Sequence, residues 1–137
     1  MVETSAGRQP AYTETLPRSA ESVGRARRLV GQALTVWGLD GERDSAELVV
    51  SELLTNAVLH ARRESVRVTV ARLGEGRVRV SVVDLSPQQP TLRASGGTCE
   101  SGRGLGIVEE LSCGRWGVDQ LPWGKRVWAT VGPGDDG

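Results

Sequence analysis

The chain predicts an α+β fold, a two-layer α/β sandwich with its helices on one face of a sheet. Three observations carry that expectation. Apolar residues recur at helical spacing over 19–37 and again over 44–61; they alternate at every second position over 65–73 and 77–84; and a short helix followed by two more strands closes the chain. At 137 residues the chain suits one domain with a proper core. Its 17 basic residues balance 17 acidic ones, so no overall field points to nucleic acid or an anionic membrane.

Residues 1–10 are polar and aperiodic and read as a disordered leader. Ala11 to Leu16 alternates enough for a short edge strand, stopped by Pro17. Ser19 is placed to cap a helix running to about Trp37, with Val23, Ala26, Val30, Ala33 and Trp37 on one face. Arg25, Arg27 and Arg28 fall mostly off that face and read as solvated surface, with partner docking a secondary reading. Gly38-Leu39-Asp40-Gly41 breaks the helix, and Asp44 or Ser45 starts a second that ends near Ala61. Ser65–Leu73 and Arg77–Asp84, joined at Gly74-Glu75-Gly76, form a β-hairpin. Residues 85–103 are a long loop rich in Ser, Pro, Gln and Gly, a length that is usually functional or disordered. A helix over about Leu105 to Ser112 follows, then strands Trp116–Leu121 and Lys125–Val131 around a turn at Pro122-Trp123-Gly124. Residues 132–137 read as a tail, leaving 11–131 as the domain.

No apolar run approaches the length of a membrane span and no signal-peptide core appears, so a cytoplasmic location is expected. Cys99 and Cys113 with a single distant histidine cannot close a structural zinc site; two free thiols are expected, Cys113 at least partly buried. Phe is absent, so the core must be built from Val, Leu, Ala and the four tryptophans.

Three features bear chemistry. Glu52, Asn56 and His60 stand at i, i+4, i+8, one stripe of the second helix, among Leu48, Val49, Val50, Leu53, Leu54, Ala57 and Val58. Polar groups held against apolar neighbours are costly unless something polar binds them, and a hydrated metal ion with an attached phosphate fits. A plain solvent-facing stripe accounts for this helix equally well. Asp84, after Val82 and Val83, is placed to accept a hydrogen bond from an exocyclic amine such as that of adenine; taken alone it reads first as a strand-end cap of the turn at Ser86. Gly102-Arg103-Gly104-Leu105-Gly106 lets backbone approach a ligand where a helix begins and free N–H groups attract phosphate, although glycine-rich hinges share the pattern. It is neither a P-loop nor a dinucleotide-binding turn.

In this order the three features resemble the histidine-kinase-like ATPase superfamily, the Bergerat fold. Within it, Ser51-Glu52-Leu53-Leu54-Thr55-Asn56-Ala57, Gly102-Arg103-Gly104-Leu105-Gly106-Ile107-Val108 and Trp116-Gly117-Val118 are similar to the anti-sigma regulatory factors, which are serine/threonine protein kinases. The likeness covers about residues 11–131. It implies ATP and Mg²⁺ as cofactors, with Asn56 coordinating the Mg²⁺ that bridges the phosphates and Glu52 acting as general base toward a serine or threonine hydroxyl. It further implies that Asp84 reads the adenine amino group and that Gly102, Gly104 and Gly106 form a lid over the phosphates. Arg103 belongs to that lid, as a solvated residue first and a phosphate contact second. His60 is expected to cap the helix or pack. The partners implied are a sigma factor and an anti-sigma factor antagonist, the latter phosphorylated to release the kinase; homodimers are common among such proteins.

Two positions depart from the superfamily. Asp84-Leu85-Ser86-Pro87-Gln88 stands where Asp-x-Gly-x-Gly is usual, and Arg126 stands where a threonine often helps hold the adenine. A non-catalytic module that sequesters its partner is the alternative. The catalytic half of a sensor histidine kinase fits poorly, because there is no dimerisation helix pair and the sole histidine lies in the Glu52–Asn56 helix. DNA binding has least support, with neutral charge and no recognition motif.

Overall fold

The computed structural model describes residues 2–6, 9–60, 64–84, 102–122 and 124–133. In chain order these form β1 (Val2–Ala6), β2 (Gln9–Pro17), α1 (Ser22–Val36), a 3-10 turn (Asp40–Glu42), α2 (Arg43–His60), β3 (Ser65–Gly74), β4 (Arg77–Asp84), α3 (Gly102–Ser112), β5 (Trp116–Leu121) and β6 (Gly124–Val131). The strands make one antiparallel sheet in the order β1-β2-β3-β4-β6-β5. α1 and α2 pack side by side against it, and α3 packs on α2 and the β6–β5 end. This is the two-layer sandwich the sequence predicts.

Alternation builds the core. Val66, Val68 and Val70 of β3 and Val78, Val80 and Val82 of β4 are each no more than 2 % exposed and point at the helices. Each such valine contributes about 1.5–3 kcal/mol by leaving water. From the helical layer come Ala26, Leu29, Val30, Ala33 and Leu34 of α1 and Ala46, Val49, Val50, Leu53 and Leu54 of α2. Trp37 and Tyr12 close one side of the core, ring centroids 5.6 Å apart. A branched-aliphatic interior packs densely without phenylalanine because β-branched side chains fit the pleat of neighbouring strands.

Several boundaries differ from expectation, each for a local reason. Residues 2–6 are a strand rather than part of a leader: β1 pairs with β2 from Val2↔Thr13 to Ala6↔Gln9. Backbone pairing needs no hydrophobic alternation, so this segment left no periodic signal. β2 is consequently not an edge strand, since β3 pairs along its other side. α1 starts three residues after Ser19, which instead closes a turn by accepting the Ser22 N–H, while the Ser22 hydroxyl donates to the Pro17 carbonyl at 2.6 Å. Cys113 is exposed rather than partly buried. It sits at φ 54° in the turn that ends α3, followed by Gly114 at φ 79° whose N–H donates to the Glu109 carbonyl, so it belongs to the helix terminator and not to the apolar face. The long loop, Cys99 and the tail beyond Pro133 lie outside the described residues.

Candidate functional site

The polar stripe is produced by the pitch of α2. Its core-facing stripe runs through Ala46, Val49, Val50, Leu53 and Leu54. A step of four residues overshoots a full turn by about 40°, so the stripe Glu52–Asn56 drifts around the helix toward that face. Asn56 therefore reaches the seam between α2 and the sheet, while Glu52, one turn earlier, stays at its rim; both are half-buried. The helix is not buried all round: Leu48 and Leu59 turn outward at 40 % and 69 % exposure. The His60 side chain lies outside the described residues.

At that seam a small cavity opens to solvent on one side, lined by Leu53, Asn56, Ala57, Val82, Asp84, Lys125 and Val127. Its volume of about 30 Å³ is enough for a water molecule. Leu53, Ala57, Val82 and Val127 provide apolar walls, and Asn56, Asp84 and Lys125 the polar groups, the usual composition of a small-molecule site. Asp84 ends β4 pointing inward, two residues after the core residue Val82. Its Oδ1 is buried and has no hydrogen-bond partner among the described residues. The turn at Ser86, which the sequence gives Asp84 to cap, lies outside the described residues.

Glu52 lies outside the cavity lining and makes no hydrogen bond or ion pair among the described residues. Nor does any group of three or more His, Cys, Asp or Glu among them form a metal cage. Asn56 lines the cavity one helical turn from Glu52.

The sequence places Gly102, Arg103, Gly104 and Gly106 at the junction of the long loop and a helix beginning near Leu105. The structure puts them inside α3, as its first turn and a half. A side-chain Cβ at Gly106 would meet nothing within 4 Å among the described residues. The first N–H groups of α3 have no partners within the helix, as at any helix start. The Arg103 side chain lies outside the described residues.

Arg126 does not face the cavity. Alternation along β6 turns it to the opposite side of the sheet, where its guanidinium holds Asp119 at 3.0 Å. The inward positions are its neighbours Lys125 and Val127. Lys125 escaped the sequence reading, although the period-two pattern through Val127, Ala129 and Val131 places it on the inner face. The arginines of α1 behave as solvated surface: Arg25 pairs with Glu14 at 2.8 Å and Arg27 with Glu47 at 3.9 Å. A broader, mostly polar cleft of about 190 Å³ lies beside them, lined by Glu14, Arg25, Arg28, Leu29 and Gln32. It shares no lining residue with the cavity at Asn56 and Asp84. Among the described residues no helix is long and apolar enough to cross a membrane.

Comparison with known proteins adds two findings. The family model of the histidine kinase-like ATPase domain matches residues 16–116. The chain is also 40 % identical over 76 residues to an uncharacterised protein of Streptomyces coelicolor, an alignment covering 52 % of this chain and 70 % of that one.

Proposed function

The chain belongs to the histidine kinase-like ATPase domain family, and from that premise we propose that it is an ATP-dependent protein serine/threonine kinase. In this reading it acts as an anti-sigma factor in a partner-switching system, binding a sigma factor and phosphorylating an anti-sigma factor antagonist. The observation that supports it most is the cavity that has Asn56 and Asp84 on its walls, with the buried Asp84 Oδ1 open to a donor and Glu52 one turn from Asn56.

Each residue has a role that its position suits. Asp84 accepts from the adenine amine while Leu53, Ala57, Val82 and Val127 cover the ring edge. Asn56 holds the Mg²⁺, which when bound neutralises phosphate charge. Glu52 accepts the proton of an incoming serine or threonine hydroxyl as its oxygen bonds to the γ-phosphorus and the bond to the β–γ bridging oxygen breaks, leaving ADP. Phosphoryl transfer asks mainly for positioning and charge neutralisation, and a positioned base adds about 10²–10⁴-fold.

A second reading, a regulatory module that binds its partner without transferring phosphate, draws on Asp84-Leu85-Ser86-Pro87-Gln88: it lacks the glycines usual after the aspartate, and Pro87 offers no N–H. Two measurements separate the readings. Calorimetric titration with ATP is expected to show Mg²⁺-dependent binding that Asn56→Ala abolishes. Glu52→Ala is expected to retain ATP and to lose phosphate transfer to the antagonist. Partner regulation that survives Glu52→Ala in cells would leave the binding module as the better account.

A further inference from the structure

Lys125 is the one lysine of the chain, and it lines the same cavity as Asp84. The two are register partners on neighbouring antiparallel strands, β4 and β6, so their Cα atoms stand about 4.5–5.5 Å apart. Both side chains turn to the helix side, as alternation with Val82 and Val127 requires. Opposite charges placed side by side on a sheet commonly close an ion pair. Here neither residue has an ion pair or side-chain hydrogen bond among the described residues, and Asp84 Oδ1 is left without a partner. The cavity thus presents an acceptor and a donor side by side.

We infer that Lys125 is a second base-reading residue, donating from its ammonium to a purine ring nitrogen beside the exocyclic amine that Asp84 accepts. The inference rests on the nucleotide reading of the site and extends it to a group outside that reading. Adenine offers such a nitrogen on either side of its amine, N1 and N7. A guanine seated the same way would set its O6 against the Asp84 carboxylate, acceptor against acceptor, so the pair favours adenine as well as holding it. Leu53, Val82 and Val127 pin the ring in the plane and resist the sideways shift that would let guanine recover.

The test is calorimetric titration of the wild-type chain and of Lys125→Met with Mg²⁺ and ATP, 1-deaza-ATP, 7-deaza-ATP or GTP. A hydrogen bond from a charged donor at a half-exposed site corresponds to about tenfold in Kd. The wild type should lose that factor with one of the two deaza analogues, which identifies the nitrogen. Lys125→Met should lose it for ATP and lose nothing further with that analogue, and its preference for ATP over GTP should shrink. Equal ATP affinity in Lys125→Met and wild type, or a deaza penalty undiminished in the variant, overturns the inference. If wild-type protein binds ATP and Asp84→Ala weakens it while Lys125→Met does not, this inference falls alone. Absence of nucleotide binding by the wild type removes the nucleotide reading and this inference with it.

Discussion

Removing the Asp84 carboxylate should make the ligand-free protein more stable and its ATP complex weaker. A buried acceptor without a partner costs about 1–3 kcal/mol, and because the rest of the Asp84 side chain is half-exposed the lower end applies, about 1 kcal/mol. With about 2.1 cal/mol/K of unfolding entropy per residue over 137 residues, that is a rise of about 3–4 °C in Tm for Asp84→Ala without ligand. ATP at a hundred times its wild-type Kd stabilises by about 2.7 kcal/mol, or about 9 °C. Loss of the hydrogen bond to the amine weakens binding about tenfold, so the same ATP concentration should raise the Tm of the variant by only about 5 °C. Differential scanning calorimetry with and without Mg²⁺-ATP reads both numbers. Asp84→Asn, which keeps a polar atom at the site, should show less of the apo gain. A lower apo Tm in Asp84→Ala together with an undiminished ATP shift would refute the reasoning, because it would make Asp84 a structural cap.

Two further predictions concern the frame that holds β6. Gly132 has φ +131°, and a Cβ there would lie 2.5 Å from the Gly76 carbonyl oxygen; Gly132→Ala should destabilise by about 1–3 kcal/mol, read as a lower urea midpoint at unchanged slope, whereas Gly41→Ala, in open space, should not. Arg115 donates to the carbonyls of Ser112, Pro133 and Gly132 at 2.9, 3.2 and 2.7 Å, joining the end of α3 to the end of β6. Arg115→Met should lose about 1–2 kcal/mol in the same assay, and a midpoint equal to wild type would mean that water replaces the guanidinium without loss.

Much of the fold was legible because its signals are periodic. The valine alternation of β3 and β4 and the Gly74-Glu75-Gly76 turn place that hairpin to within a residue, and the 3.6 period places α1 and α2 nearly as well. What escaped the sequence reading was decided by backbone or by long-range partners. β1 is held by main-chain pairing that has no side-chain signature, and Ser22 bonds Pro17 through a turn that local capping rules do not anticipate. In the site, Asn56 and Asp84 were named from the sequence and lie on one cavity. Lys125 has no role in the sequence reading; the strand register shows that it stands opposite Asp84. Arg126 stood out only through the family resemblance, and strand alternation turns it to the face opposite the cavity, one residue from Lys125.

The drift of the α2 stripe also bears on the choice between kinase and binding module. A group that only anchors a nucleotide is best placed inside the cavity, as Asn56 is. A base that must meet a hydroxyl carried by another protein has to remain reachable from solvent, and the about 40° turn per four residues leaves Glu52 at the rim instead. Under the proposed function this separation is necessary, because a carboxylate sunk beside Asp84 could contact a nucleotide but never a macromolecular substrate. Under the binding-module reading Glu52 has no task that an alanine or a leucine at the same rim would fail. The two substitutions should accordingly divide the activity: Asn56→Ala removes ATP binding and with it everything that depends on nucleotide, whereas Glu52→Ala leaves the ATP-induced rise in Tm intact and removes only the transfer.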